Sequence, residues 1–218
     1  LFRSASTALA RRIIHNPHEF GACNRWHRTL ELGAGSGLVS LVCDAVGDPS
    51  SLVVATDHHQ RTLANLCSTV QNDRSASNSI SITAHKLDWA AVHASSAFTR
   101  AFKSPPPVLA APFNLPFDTI IASDVVYRPS HAAELHSCVE QLLARPPPPS
   151  ELGVGGVAWQ GSAFWLAIPV IPSHTAAIES IEETFARQDG SVASLGIQSF
   201  ADEVRGEARV RIYRIGWC

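Results

Sequence analysis

Three glycines spaced two apart, Gly33, Gly35 and Gly37, lie in TLELGAGSGLVS at residues 29–40, between a strand-like run and a helix-like one. A turn of this kind needs glycine for backbone freedom and lets a ligand approach the main chain closely. Its spacing is G-x-G-x-G, whereas the dinucleotide fingerprint is G-x-G-x-x-G; Leu38 stands where that pattern wants its third glycine. Glu31, just before the loop, adds a carboxylate that suits a cationic amino-acid ligand better than a pyrophosphate. Asp57 closes the next apolar run, where an acid can accept from both hydroxyls of a ribose. Capping a helix is the plainer use of that aspartate. A third run ends in LDW, so Asp88 can accept from an adenine amino group while Trp89 offers the ring a flat apolar face. An Asp-Trp pair is often purely structural, but here it is third in a series. Three run ends converge on an adenosine that carries positive charge.

A fourth run, FDTIIASDVVY, ends in Asp124, Val125, Val126 and Tyr127. Asp124 can hold and orient an incoming amine, and Tyr127 can face a methyl group and the nitrogen with its ring or hydroxyl. The competing use of Asp124 is to cap the turn that ends at Pro129. Ser123 fits either beneath the ligand or packed in a strand end. His58 and His59 follow Asp57 directly, so His58 can graze the adenosine. Adjacent side chains point apart, which argues against a shared metal. His131, His136 and His174 are expected to be solvated or capping. No metal motif and no Ser-His-Asp arrangement is expected.

The elements that must position these residues alternate between strand and helix, as in an α/β domain with a mainly parallel sheet. RTLEL reads as a strand, and Leu38, Leu41, Val42 and Ala45 follow at helical spacing up to Gly47. SLVVATD is almost wholly apolar, as when helices cover both faces of a sheet. Leu63, Leu66, Cys67 and Val70 mark a helix, SISITAHKLD a third strand and FDTIIASD a fourth. Leu135, Val139, Leu142 and Leu143 line a helix that Pro146 must stop. AFWLAIPV is a fifth strand. Ser173 is placed to cap a helix carrying Ile178, Ile181 and Phe185 inward. RVRIYRIGW is the last strand, with SVASLGIQSF a candidate before it. Residues 91–116, with SPPP, and 145–161, with RPPPPSELGVGG, read as surface loops.

Composition narrows the partners. The 218 residues have a net charge of −2 and no long basic run, so nucleic acid is a poor candidate. Five cysteines without a C-x-x-C fit buried thiols in a reducing compartment better than disulfides or zinc. The longest apolar run, FWLAIPVI, is far shorter than the roughly 20 residues that span a bilayer. No membrane association is expected. Arg3, Arg11 and Arg12 without an acid in the first 18 residues faintly resemble a transit peptide, and an amphipathic first helix explains them more simply. The chain contains no methionine, so a truncated N-terminus is expected.

LELGAGSGLVSL, VVATD, KLDW and FDTIIASDVVY match, in order and spacing, the motifs of seven-β-strand methyltransferases. More narrowly, the chain resembles methyltransferase family 16, which includes protein-lysine N-methyltransferases, over roughly residues 5–217. The resemblance implies a single domain over 1–218 with a Rossmann-like seven-stranded sheet, mostly parallel, and an antiparallel last strand. It implies S-adenosyl-L-methionine as cofactor, its amino-acid end on Glu31, Gly33, Ala34, Gly35 and Gly37, its ribose on Asp57 and its adenine near Asp88 and Trp89. The family's D-x-x-Y corresponds to Asp124 and Tyr127. Two departures are the tryptophan-free LFRSASTALA, where the family carries a TWEA-like stretch, and the long 91–116 segment. The expected protein is a cytoplasmic monomer, the nucleus being a second location, that methylates a lysine of a protein substrate. Small-molecule amine transfer, a non-catalytic binding partner and a nicotinamide oxidoreductase are the other readings, the last disfavoured by Leu38 and Glu31.

Overall fold

Apolar runs too short to be helices pair into one seven-stranded sheet, ordered β3-β2-β1-β4-β5-β7-β6. The strands are β1 (Arg28–Leu32), β2 (Leu52–Asp57), β3 (Ile82–Lys86), β4 (Thr119–Ser123), β5 (Ala163–Pro169), β6 (Leu195–Arg205) and β7 (Ala208–Trp217). The first five run parallel, and β7 is antiparallel to both β5 and β6. The helices are α1 (Ser4–His15), α2 (Leu38–Val46), α3 (Gln60–Ser77), α4 (Trp89–Phe102), α5 (Ser130–Leu142) and α6 (Thr175–Thr184). This computed structural model describes residues 4–77, 81–104, 109–146, 161–186, 194–205 and 208–217.

Period-two alternation along the strands divides the core into two layers. Leu30, Leu32, Ile120, Ala122, Phe164 and Leu166 face one way, against Val92 of α4, Leu135 and Val139 of α5 and Ile181 of α6. Val53, Ala55, Ile121 and Trp165 face the other way, against Leu9 of α1, Val39 and Cys43 of α2 and Leu66 of α3. Strands buried on both faces are why SLVVATD and AFWLAIPV read as almost continuous apolar runs. Trp165 is fully enclosed, with the Arg12 guanidinium 5.4 Å from its ring centroid and Phe20 at 4.6 Å.

Several sequence readings need correction. Residues 91–116 are not one long loop: α4 occupies Trp89–Phe102, capped by Asp88 and packed through the buried Val92. That helix buries so narrow a stripe that it leaves little apolar periodicity to read. Residues 105–108 of that segment, and 147–160 of the other expected loop, lie outside the described residues. The buried face of α2 is carried by Val39, Ser40 and Cys43, whereas Leu38 and Ala45 are exposed. Ser173 does not cap α6; Pro172–His174 forms a short 3-10 turn, and His174 takes the N-cap position. Cys43 and Cys138 are buried, with burial pushing both thiols up, while Cys23 is exposed and Cys67 half-buried. Cys218 lies outside the described residues. Among the described residues there is no cluster of three or more metal-ligating side chains, and no helix is long and apolar enough to cross a membrane.

Candidate functional site

Strand order reverses between β1 and β4, and in an open α/β sheet a crevice forms at the carboxyl ends of the strands where this happens. The glycine loop leaves β1 there. Ala34 N–H donates to Thr56 O at 2.8 Å, which ties the loop to β2. Gly33 has φ +69°, and a Cβ on it would lie 2.8 Å from Val125 Cγ1 and 3.2 Å from Trp89 Cζ2. Gly35 has φ +57°, and a Cβ there would meet nothing within 4 Å, so its backbone borders open space. One glycine lets two walls close, and the next leaves its α-carbon open to the cleft.

A cavity of about 320 Å³ opens at this rim, within the range of small-ligand sites. Of the residues singled out in the sequence, Gly33, Gly35, Asp57, His58, Asp88, Trp89, Asp124 and Tyr127 all line it. Asp57 accepts from Gly35 N–H at 3.3 Å and His59 N–H at 2.9 Å, so it braces the loop as well as facing the cleft. Asp88 likewise serves twice, its Oδ1 accepting from the N–H groups of Ala90 and Ala91 at 3.1 and 3.3 Å. Trp89 opens α4 and lays its ring against Gly33.

Four expected cofactor residues do not line the cavity: Glu31, Ala34, Gly37 and Ser123. Glu31 points from β1 to the opposite face of the sheet, toward α2, and is 2% exposed. Its Oε2 accepts from both the N–H (2.9 Å) and the hydroxyl of Ser40 in the first turn of α2. Burial pushes its carboxyl up to about 7, against the two Ser40 bonds that favour the ionised form. Glu31 therefore tethers the helix behind the loop rather than meeting a ligand in front of it. Gly37 is the N-cap of α2, and Ala34 is buried beneath the loop.

The segment after β4 holds an unusual backbone. Asp124 has φ +55°, in the left-handed region that non-glycine residues seldom adopt. Its N–H donates to Ala167 O at 2.9 Å, and the Tyr127 hydroxyl donates to its carbonyl. His131 of α5 organises the same turn. Nδ1 accepts from Tyr127 N–H at 3.3 Å and lies 3.0 Å from Val125 O, while Nε2 accepts from Arg128 Nε at 3.0 Å. His131 is thus part of the cleft wall, not merely solvated or capping. His174 was also expected to be solvated or capping; it is buried, and its Nε2 lies 3.5 Å from Asp124 Oδ1. His136 is half-buried against Phe185, with ring centroids 5.2 Å apart. Sequence reading missed Arg128, His131 and Glu134 on the lining, although α5 begins only three residues after Tyr127.

Burial pushes the Asp124 carboxyl above its usual range, with His174 opposing, and burial and then Asp124 and Asp57 push the Tyr127 phenol up. Asp57, Asp88, Asp124 and Glu134 face the cavity against one arginine, Arg128. Such a cleft favours cationic ligands. Its donors and acceptors suit a nucleoside bearing a positive charge: a ribose acceptor, a ring platform and a glycine open to the cleft.

Comparison with known proteins bears on the family and the fold. A family model described as lysine methyltransferase matches residues 5–148. Comparison with curated proteins returns no match. Among solved structures, TrmN from Thermus thermophilus superposes with a TM-score of 0.55 at 16% identity, over 97% of this chain and 48% of that one. This chain thus spans about half the length of TrmN. Fibrillarin from Aeropyrum pernix, in complex with natively bound S-adenosyl-L-methionine, gives 0.56 at 15% identity over 98% and 75%. An O-methyltransferase from Bacillus cereus, in complex with SAH, gives 0.60 at 12% identity over 96% and 80%. At such identities the likeness speaks for the fold alone. The family match covers well over half of the 218 residues, and the chain belongs to the lysine methyltransferase family of S-adenosylmethionine-dependent methyltransferases.

Proposed function

We propose that this protein transfers a methyl group from S-adenosylmethionine to a lysine side chain of a protein. The observation that carries the reading is the meeting of Asp124 and Tyr127 with Gly35, Asp57 and Trp89 around one acidic cavity. Asp57 would hold the ribose hydroxyls, the backbone at Gly33 and Gly35 the amino-acid end, and Asp88 with Trp89 the adenine. Bound there, the cofactor supplies an electrophilic methyl carbon on a positively charged sulfur.

The remaining work falls to the chain. A lysine amine has a reference pKa of about 10.4 and must lose a proton before it attacks. The acidic lining attracts the amine in its charged form, and a dry cleft favours loss of that charge. Asp124 holds the nitrogen in line and Tyr127 presents its ring beside it, so the displacement needs alignment more than acid–base chemistry. Trp89 and Val125 close onto Gly33 and wall the cleft there.

The test is incubation of the purified protein with methyl-labelled S-adenosylmethionine and an extract, followed by mapping of the label. Label on the Nζ of a protein lysine supports the proposal. Label confined to RNA, to a hydroxyl or to a free small amine overturns its choice of acceptor.

A further inference from the structure

Asp124 is fixed at its main chain by two hydrogen bonds and faced at its side chain by one residue. Its N–H is fixed by Ala167 of β5 and its carbonyl by the Tyr127 hydroxyl, and its backbone sits in the left-handed region. The side chain meets a residue from beyond β5. His174 closes the 3-10 turn Pro172–His174, which follows β5, the strand beside β4. Its Nε2 and Asp124 Oδ1 face each other at 3.5 Å, both atoms are buried, and neither has a hydrogen bond to another group among the described residues.

Two buried polar atoms left unpaired are costly, and about 0.5 Å of approach would turn this contact into a hydrogen bond. The tautomer suits it. Ser173 Oγ lies 3.2 Å from His174 Nδ1; a hydroxyl donating there leaves the ring proton on Nε2, directed at Asp124. Other charged or titratable groups surround the carboxyl: Tyr127 and Arg128 on its own segment, His131 and Glu134 from α5, and Asp57 and Asp88 on the same cavity lining. Of the lysines, arginines and histidines among the described residues, His174 alone brings a nitrogen within 4.0 Å of the Asp124 carboxyl. It also opposes the upward push of burial on that carboxyl.

We propose that His174 is a positioning residue for methyl transfer: its Nε2–H keeps the Asp124 carboxylate ionised and fixed at the cleft wall, where the acceptor amine meets it. The proposal rests on the reading that Asp124 orients the amine. His174 itself touches neither cofactor nor acceptor, and it is not among the residues that line the cavity.

Two variants separate positioning from packing. His174→Leu fills the space and removes the donor. His174→Gln keeps an N–H at the reach of Nε2, whereas His174→Asn places one near Nδ1 and serves if the leucine variant does not fold. The first measurement needs no acceptor: the carboxyl carbon of Asp124 is followed by NMR in aspartate-labelled protein, assigned by its loss in Asp124→Asn. Its titration should move to higher pH in His174→Leu (or His174→Asn) and stay with the parent in His174→Gln. In the second, at saturating cofactor, His174→Leu should transfer methyl groups at least tenfold more slowly than the parent at the acid end of the profile and approach it at the alkaline end. His174→Gln should follow the parent throughout, and cofactor affinity by calorimetry should be unchanged in both. An unmoved Asp124 titration overturns the proposal, as does a loss independent of pH that glutamine fails to rescue. If the titration moves as expected while the parent methylates no lysine, the hold on Asp124 stands and the lysine reading falls.

Discussion

Replacing Glu31 with glutamine tests whether the carboxylate behind the glycine loop is a ligand group or a buried tether. Glu31 is fully enclosed between β1 and α2, and burial raises its carboxyl from 4.5 to about 7. At about 1.36 kcal/mol for each pH unit, that rise corresponds to roughly 3 kcal/mol. The sign follows from proton binding. Between about pH 4.5 and about pH 7 the unfolded chain has released this proton and the folded chain has kept it, so stability falls as pH rises through that window. Above it the loss is complete and constant. Two effects oppose burial: the pair of Ser40 hydrogen bonds and the N-terminal end of α2, which favours an anion by about 0.3–1 kcal/mol. In the Glu31→Gln variant the amide keeps an acceptor for Ser40 and has nothing to titrate. Urea unfolding of parent and variant at about pH 5 and about pH 8 should show the stability difference moving by about 2–3 kcal/mol in favour of glutamine. Cofactor affinity should change little, because Glu31 does not line the cavity. A difference that stays flat with pH would refute the reasoning, since the helix end would then be accommodating the charge in full.

Asp57→Ala removes a carboxylate placed for the ribose and two braces of the loop, and should weaken S-adenosylmethionine binding by about 1.5–3 kcal/mol in calorimetry. Gly33→Ala forces an L-residue to φ +69° at about 1–2 kcal/mol and drives a methyl into Val125. It should lower the melting temperature by roughly 2–4 °C per kcal/mol and reduce cofactor affinity. Tyr127→Phe should leave affinity nearly unchanged while methyl transfer at saturating cofactor falls at least tenfold, about 1.4 kcal/mol; a parent-like rate would remove the hydroxyl from the chemistry.

The parts of this architecture written in local chemistry were legible in the sequence. Strands β1, β2, β4 and β5 announce themselves as apolar runs because both faces of the sheet are covered, and their ends carry the glycines and acids that converge on the rim. Helix α4 was hidden because it buries little beyond Val92 and its neighbour is the conspicuous SPPP. Glu31 was misplaced for a different reason. Position along a strand fixes the rim but not the face, and one residue of alternation decides between cleft and helix. The contact of His174 with Asp124 was not legible, since it depends on β5 lying beside β4, a tertiary fact. Its signal is a histidine just past the strand neighbouring the D-x-x-Y strand.

Asp124 shows why such a site is not optimised for stability alone. A carboxyl whose ionisation is opposed by burial, on a left-handed backbone, is a poor choice for folding and a useful one for steering a cation. Asparagine tolerates the same backbone, keeps an acceptor for His174 and has no charge to desolvate. Asp124→Asn should therefore fold with a stability at neutral pH equal to the parent within about 0.5 kcal/mol, or greater, and bind cofactor. Its methyl transfer should fall further than that of Tyr127→Phe, because the amide orients an amine without attracting it. Melting curves and single-turnover rates at saturating cofactor measure the two halves separately. Marked destabilisation would make Asp124 a structural anchor, and a parent-like rate would remove it from the reaction. Stability kept and transfer lost is the pairing expected of a charge retained for chemistry.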